Sequence, residues 1–143
     1  MSVPARHRRD AGVVTAVEML YVLVFGLVAL LFLGYLGRLH AAAIQVQNAT
    51  QAAARAASQA STAADAERAA DATLDASSLT DRCDGALSSS LAWAPSPSGA
   101  WQGGAVTVTV RCTLANDALA GVWAPGDRTI SASDTQPVDR YQR

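Results

Sequence analysis

The sequence predicts an α+β chain in which one long N-terminal helix, apolar at first and alanine-rich afterwards, leads into a small antiparallel β-sheet. Three observations predict it. Residues 19–37 form an unbroken apolar run, residues 41–76 contain neither Gly nor Pro and are dominated by Ala, and residues 106–110 alternate strictly between Val and Thr. The first two patterns are helical, and the third is that of a strand with one covered face.

The apolar run, Met19 to Gly37, holds nineteen residues without a charge. At 1.5 Å per residue it spans roughly 28 Å, against about 30 Å for the hydrocarbon layer of a bilayer. A chain of 143 residues has room for one small domain, which is too little to surround a helix apolar on every face. The run therefore predicts a membrane-spanning helix over 13–39. Arg6, His7, Arg8 and Arg9 precede it, and a single Arg38 follows it. By the positive-inside rule the N-terminus is cytoplasmic and the remainder lies outside. A cleaved secretory signal ending at Ala41, Ala42 and Ala43 is the alternative, although its apolar region would exceed the usual length of about 7–15 residues. Gly26 and Gly34 lie eight residues apart, on nearly one helix face. That face would admit a neighbouring helix, but glycine is also simply common in membrane helices.

Glu18 is out of place in this pattern, because Val13, Val14 and Val17 have already begun the apolar stretch. A carboxylate at mid-membrane costs up to about 2.5–3.5 kcal/mol, and less near the interface. Either Glu18 reaches interfacial water, or it meets a positive charge supplied by a partner inside the membrane.

The Ala-rich segment predicts that the helix continues outward as one rod over 40–76. Ile44, Val46 and Leu74 are its only large apolar residues, so it needs close-packed neighbours or the sheet against one face. Its Asn48-Ala49-Thr50 glycosylation pattern, in a helix near the bilayer, is assigned no role. Beyond it, residues 77–143 form the small outer domain. Ala94-Pro95-Ser96-Pro97-Ser98-Gly99 and Gly103-Gly104 mark loops between strands. Leu91-Ala92-Trp93 and Thr129-Ile130-Ser131 are the candidate partners of the Val/Thr strand. Trp93, Trp101 and Trp123 are expected to cover most of the apolar face of the sheet.

Cys83 and Cys112 lack the further ligands of a zinc site and both follow the membrane run, so a single disulfide is expected, in an oxidising compartment. That agrees with the charge-based orientation. A net charge of −1 with one basic cluster, placed against the membrane run, argues against nucleic-acid binding. No catalytic constellation emerges: His7 lies in the basic tail, His40 at the outer boundary, and Ser88 to Ser90 have no histidine near in sequence. Asp81, Asp84 and Asp117 lack the spacing of a calcium loop and read as turn residues. Neither a metal nor a cofactor is expected.

The order of a basic leader over 1–12 (Arg6, Arg8, Arg9), a small residue (Gly12), a short apolar link, Glu18 and a long apolar helix resembles the class III signal of type IV pilin-like proteins. Within them it is most similar to the TadE-like pseudopilins of tight-adherence pilus systems. The Ala-rich extension, the strand Val106 to Cys112, the segment Thr129 to Ser133 and the tail Pro137-Val138-Asp139-Arg140-Tyr141 fit the same resemblance. It implies a pilin-like fold, a prepilin peptidase that cuts after the small residue, and a glutamate whose charge neutralises the new α-ammonium of a neighbouring subunit. In the family that glutamate is fifth in the mature chain. A cut after Gly12 makes Glu18 sixth, and a cut after Val13 makes it fifth but puts a bulky residue at the cleavage position. The implied partners are other pilin-like subunits, the membrane platform of a pilus or secretion assembly, and the peptidase. A membrane-anchored extracytoplasmic binding module that does not polymerise, and a domain released after Ala43, are the rival readings.

Overall fold

The computed structural model describes residues 8–85, 87–116 and 126–139, with the backbone alone described over 8–14. Arg6, His7, Asp117, Trp123, Arg140 and Tyr141, all invoked above, lie outside the described residues. Five elements follow in order: α1 (Arg8–Ser58), α2 (Ala63–Asp75), β1 (Ser88–Ala94), β2 (Ala105–Ala115) and β3 (Asp127–Pro137). The chain is a long N-terminal helix followed by a small antiparallel three-stranded sheet, an α+β arrangement.

α1 continues through the end of the apolar run without a break for 51 residues, about 76 Å. The expected rod to residue 76, however, is divided. α1 closes with two tight backbone bonds, from Gln59 N to Ala56 O (3.3 Å) and from Ala60 N to Ala57 O (3.1 Å). Thr62 then starts α2: its Oγ1 accepts from Asp65 N (3.2 Å), and its hydroxyl donates to the Asp65 carboxylate (2.8 Å). The physical reason is the run Ser58-Gln59-Ala60-Ser61-Thr62. Its hydroxyls offer the backbone alternatives to the helical ladder, and Thr62 caps the new helix through its side chain while the Asp65 carboxylate holds the Ser61 and Thr62 hydroxyls. α2 folds back and packs on α1.

Small residues make this packing close. Val46, Thr50, Ala53, Ala54 and Ala57 are buried on one face of α1, and Ala66, Ala70 and Leu74 on one face of α2. These spacings of three and four residues are the helical repeat. Thr50, the last residue of the Asn48-Ala49-Thr50 pattern, is fully buried and donates to Val46 O (2.8 Å).

The sheet order is β1-β2-β3, with β2 central and both pairings antiparallel. β2 behaves as its alternation demands. Val106, Val108, Val110, Cys112 and Leu114 are buried in one core cluster with the helix faces, while Thr107, Thr109 and Thr113 point away. Those three hydroxyls bond across the sheet to Thr135, Ser133 and Thr129 at 2.8–3.1 Å. Both candidate partner strands are present, and β3 is longer than the segment 129–133 read from the sequence. Just past β3, Val138 is buried and keeps the pairing going, exchanging backbone bonds with Gly103 and Gly104.

Trp93 and Trp101 do not cover the apolar face of the sheet as expected. The alanine-lined face of α1 does, with Ala66, Ala70 and Leu74 of α2 in the same core cluster, because flat Ala surfaces allow close approach. Trp93 is 39% exposed, and Trp101 is buried against it with ring centroids 5.5 Å apart. Trp101 Nε1 donates to Ala60 O (2.7 Å), so this ring satisfies the carbonyl where α1 gives way to α2. Gly104 sits beneath the pair: a Cβ there would collide with the Ala94 carbonyl and lie 3.0 Å from both Trp101 O and Trp93 Nε1.

Candidate functional site

The chemistry of this chain lies along α1, which has two halves with different surroundings. The N-terminal half is bare. Leu20, Leu23, Phe25, Leu30 and Phe32 are all exposed, and no part of the most apolar 18-residue window is buried against the rest of the chain. It is one helix, near the N-terminus, long and apolar enough to cross a membrane. The C-terminal part, from Val46 to Ala57, is built into the core of the small domain. α1 is unbroken between them, so the bare segment and the face that packs on the sheet belong to one helix.

Glu18 lies on the bare half and is exposed. Among the described residues its carboxylate has neither an ion pair nor a hydrogen bond. Gly12 and Val13 are helical in backbone. Gly26 and Gly34 each face open space, where an added Cβ meets nothing within 4 Å. Nothing in this chain therefore occupies the ground beside Glu18 or beside those glycines among the described residues.

The second construction is the junction at the outer end of the bare half. Cys83 and Cys112 are joined, with Cα atoms 5.3 Å apart, across a sequence separation of 29. The bond ties the turns after α2 to β2, and Asp84 N donates to Thr113 O (2.6 Å) beside it. In the same turns Arg82 Nη1 donates to Gln45 Oε1 on α1 (2.7 Å). The turns after α2 are thus fastened both to β2 and, at Gln45, to α1.

The remaining candidates stay apart. His40 is exposed on α1. Ser89 hydrogen-bonds Asp71 on α2 (3.0 Å) rather than a histidine. Among the described residues no three His, Cys, Asp or Glu side chains are gathered as a metal would require. Sequence reasoning missed the α1–α2 turn, although Thr62 followed by Asp65 three positions later carried its signal. There the Asp65 carboxyl is held below its ordinary value of 3.8, first by the Thr62 hydroxyl, then by Ser61, with the Arg68 guanidinium adding to them. It also missed the Arg82–Gln45 contact, for which no local pattern exists.

No family model, curated protein or solved structure matches the chain.

Proposed function

We propose that this chain is a TadE-like pseudopilin, a structural subunit of a pilus or secretion assembly held in the membrane by α1. On this reading the N-terminus is cytoplasmic, the α2–sheet domain is extracytoplasmic, and the Cys83–Cys112 bond forms there. The observation that carries the reading is the 51-residue α1, bare over its apolar half and built into the domain core over its outer half. A helix of this kind transmits the position of its membrane half directly to the domain, as a subunit in a filament must. Glu18 supports it, because a passive anchor gains nothing from a carboxylate inside the apolar stretch and is weakened by its desolvation. The partners are other pilin-like helices and the membrane platform of the assembly, and the leader is a substrate for a prepilin peptidase at Gly12 or Val13.

The continuity of α1 through Ala41–Ala43 into the buried face at Val46 speaks against a domain released at Ala43, since that cut would fall within the helix. The test is the intact mass and N-terminal sequence of the mature protein from its native membrane. Loss of about 12 or 13 residues, at the Gly12 or Val13 position, is expected. A full-length chain would favour the non-polymerising binding module, and loss up to Ala43 would favour the secreted domain.

A further inference from the structure

A cleft of about 440 Å³ opens beside α1 where its apolar run ends. Val46 and Leu114 line its apolar side, and Arg38, Gln45, Asp81 and Arg82 its polar side. Cys112 also borders it, so the disulfide fixes the wall that carries Arg82. We propose that this cleft holds the phosphate of an anionic phospholipid headgroup, an inference that rests on reading α1 as the membrane span.

Depth is the first argument. Arg38 is the residue after the nineteen-residue uncharged run, and Ala41, also lining the cleft, stands one turn further out. At 1.5 Å per residue these positions lie about 2 and 6 Å beyond the hydrocarbon. The headgroup layer on each side is about 5–7 Å thick, so the lower part of the cleft is within it. Gln45 stands about 12 Å beyond the hydrocarbon, and Arg82 is held at that level by its 2.7 Å bond to Gln45. A phosphate in the cleft is thus approached by Arg38 from the membrane side and by Arg82 from the domain side.

Chemistry is the second. Among the described lining residues, two guanidinium groups stand beside one carboxylate, Asp81. A guanidinium presents five N–H groups in a planar fork suited to phosphate oxygens, so one bond to Gln45 leaves Arg82 donors for a second acceptor. The apolar wall of Val46 and Leu114 suits the glycerol and upper acyl carbons of a lipid better than a free hydrated anion. The same contacts would set the depth of the domain on the membrane, because α1 cannot slide without drawing Arg38 out of the headgroup layer and Arg82 away from the phosphate.

The test uses full-length protein in phosphatidylcholine nanodiscs, with phosphatidylglycerol added as the probe and retained lipid counted by native mass spectrometry. Selective retention of phosphatidylglycerol is expected. Arg82→Gln should weaken it about five-fold, and Arg82→Lys should keep most of it. Intact-mass measurement of the Cys83–Cys112 bond in each variant checks that the fold is preserved. Equal retention of the two lipids, or an unchanged preference in Arg82→Gln, would overturn the proposal. So would saturation by inorganic phosphate alone without added retention of lipid, which would assign the cleft to the free anion. Extraction from native membranes by alkaline carbonate is scored separately: a protein that is extracted contradicts the membrane reading itself, whereas an embedded protein without lipid preference contradicts only the cleft.

Discussion

At the scale of single residues, Glu18 and Asp65 are both carboxylates, and their surroundings treat them oppositely. Glu18 has no partner among the described residues and stands on an apolar helix, so its charge is useful only if something outside the chain meets it. Asp65 is fully served by its own neighbours: Thr62, Ser61 and Arg68 all favour the ionised form. A carboxyl group whose folded value is depressed contributes stability that is present above its unfolded value, here 3.8, and lost as the pH falls through the folded value. Acidification below 3.8 should therefore loosen the α1–α2 turn, and Thr62→Ala should raise the titration midpoint of Asp65 toward 3.8. Carbon-detected NMR of the Asp65 carboxyl measures it; a midpoint at or above 3.8 in the unaltered protein would contradict this account of the turn.

At the scale of elements, what decides the packing is the smallness of the helix faces rather than bulk. Ala53, Ala54, Ala57, Ala66 and Ala70 are at most 3% exposed, and none has room to grow without parting the helices from each other or from β2. Ala57→Leu should destabilise the domain by about 1–3 kcal/mol, as overpacking of a filled core does. The same change at exposed Ala52 should be close to neutral. Thermal unfolding of the two variants is the comparison, and an equal effect at both sites would show that the Ala face is not a close-packed surface. The alternation of β2 was fully legible in the sequence, because a period of two with Val against Thr admits one structure only. The end of α1 was not read, because alanine propensity favours helix throughout 41–76 and the competing signal is confined to Ser61, Thr62 and Asp65. The cover of the sheet was misread for a related reason: tryptophans carry the largest area, yet the tertiary fold gives the valines to alanines and leaves Trp93 and Trp101 at one end.

At the scale of the whole molecule, one helix belongs to two structures. Its outer half is held in a core spanning Val46 to Val138, and the Cys83–Cys112 bond closes that core with a loop for which the chain-entropy model gives roughly 3–4 kcal/mol. Its apolar N-terminal part is bare of packing against the rest of the described chain. The bond was legible from the count of two cysteines, but the cleft was not, since Arg82 and Leu114 are brought beside Arg38 and Gln45 of α1 only by the fold. The central claim is that α1 meets other protein helices in the bilayer and that Glu18 governs the meeting. A photo-crosslinking side chain placed at exposed Val22, one turn from Glu18 on the same face of α1, in native membranes, tests it most directly in the chain with Glu18 and in Glu18→Gln, which keeps size and hydrogen bonding and removes only the charge. The expected result is crosslinks to other small single-pass chains that disappear in Glu18→Gln while carbonate-resistant insertion is retained. Crosslinks to lipid alone, or the same protein crosslinks with and without the charge, would contradict the account.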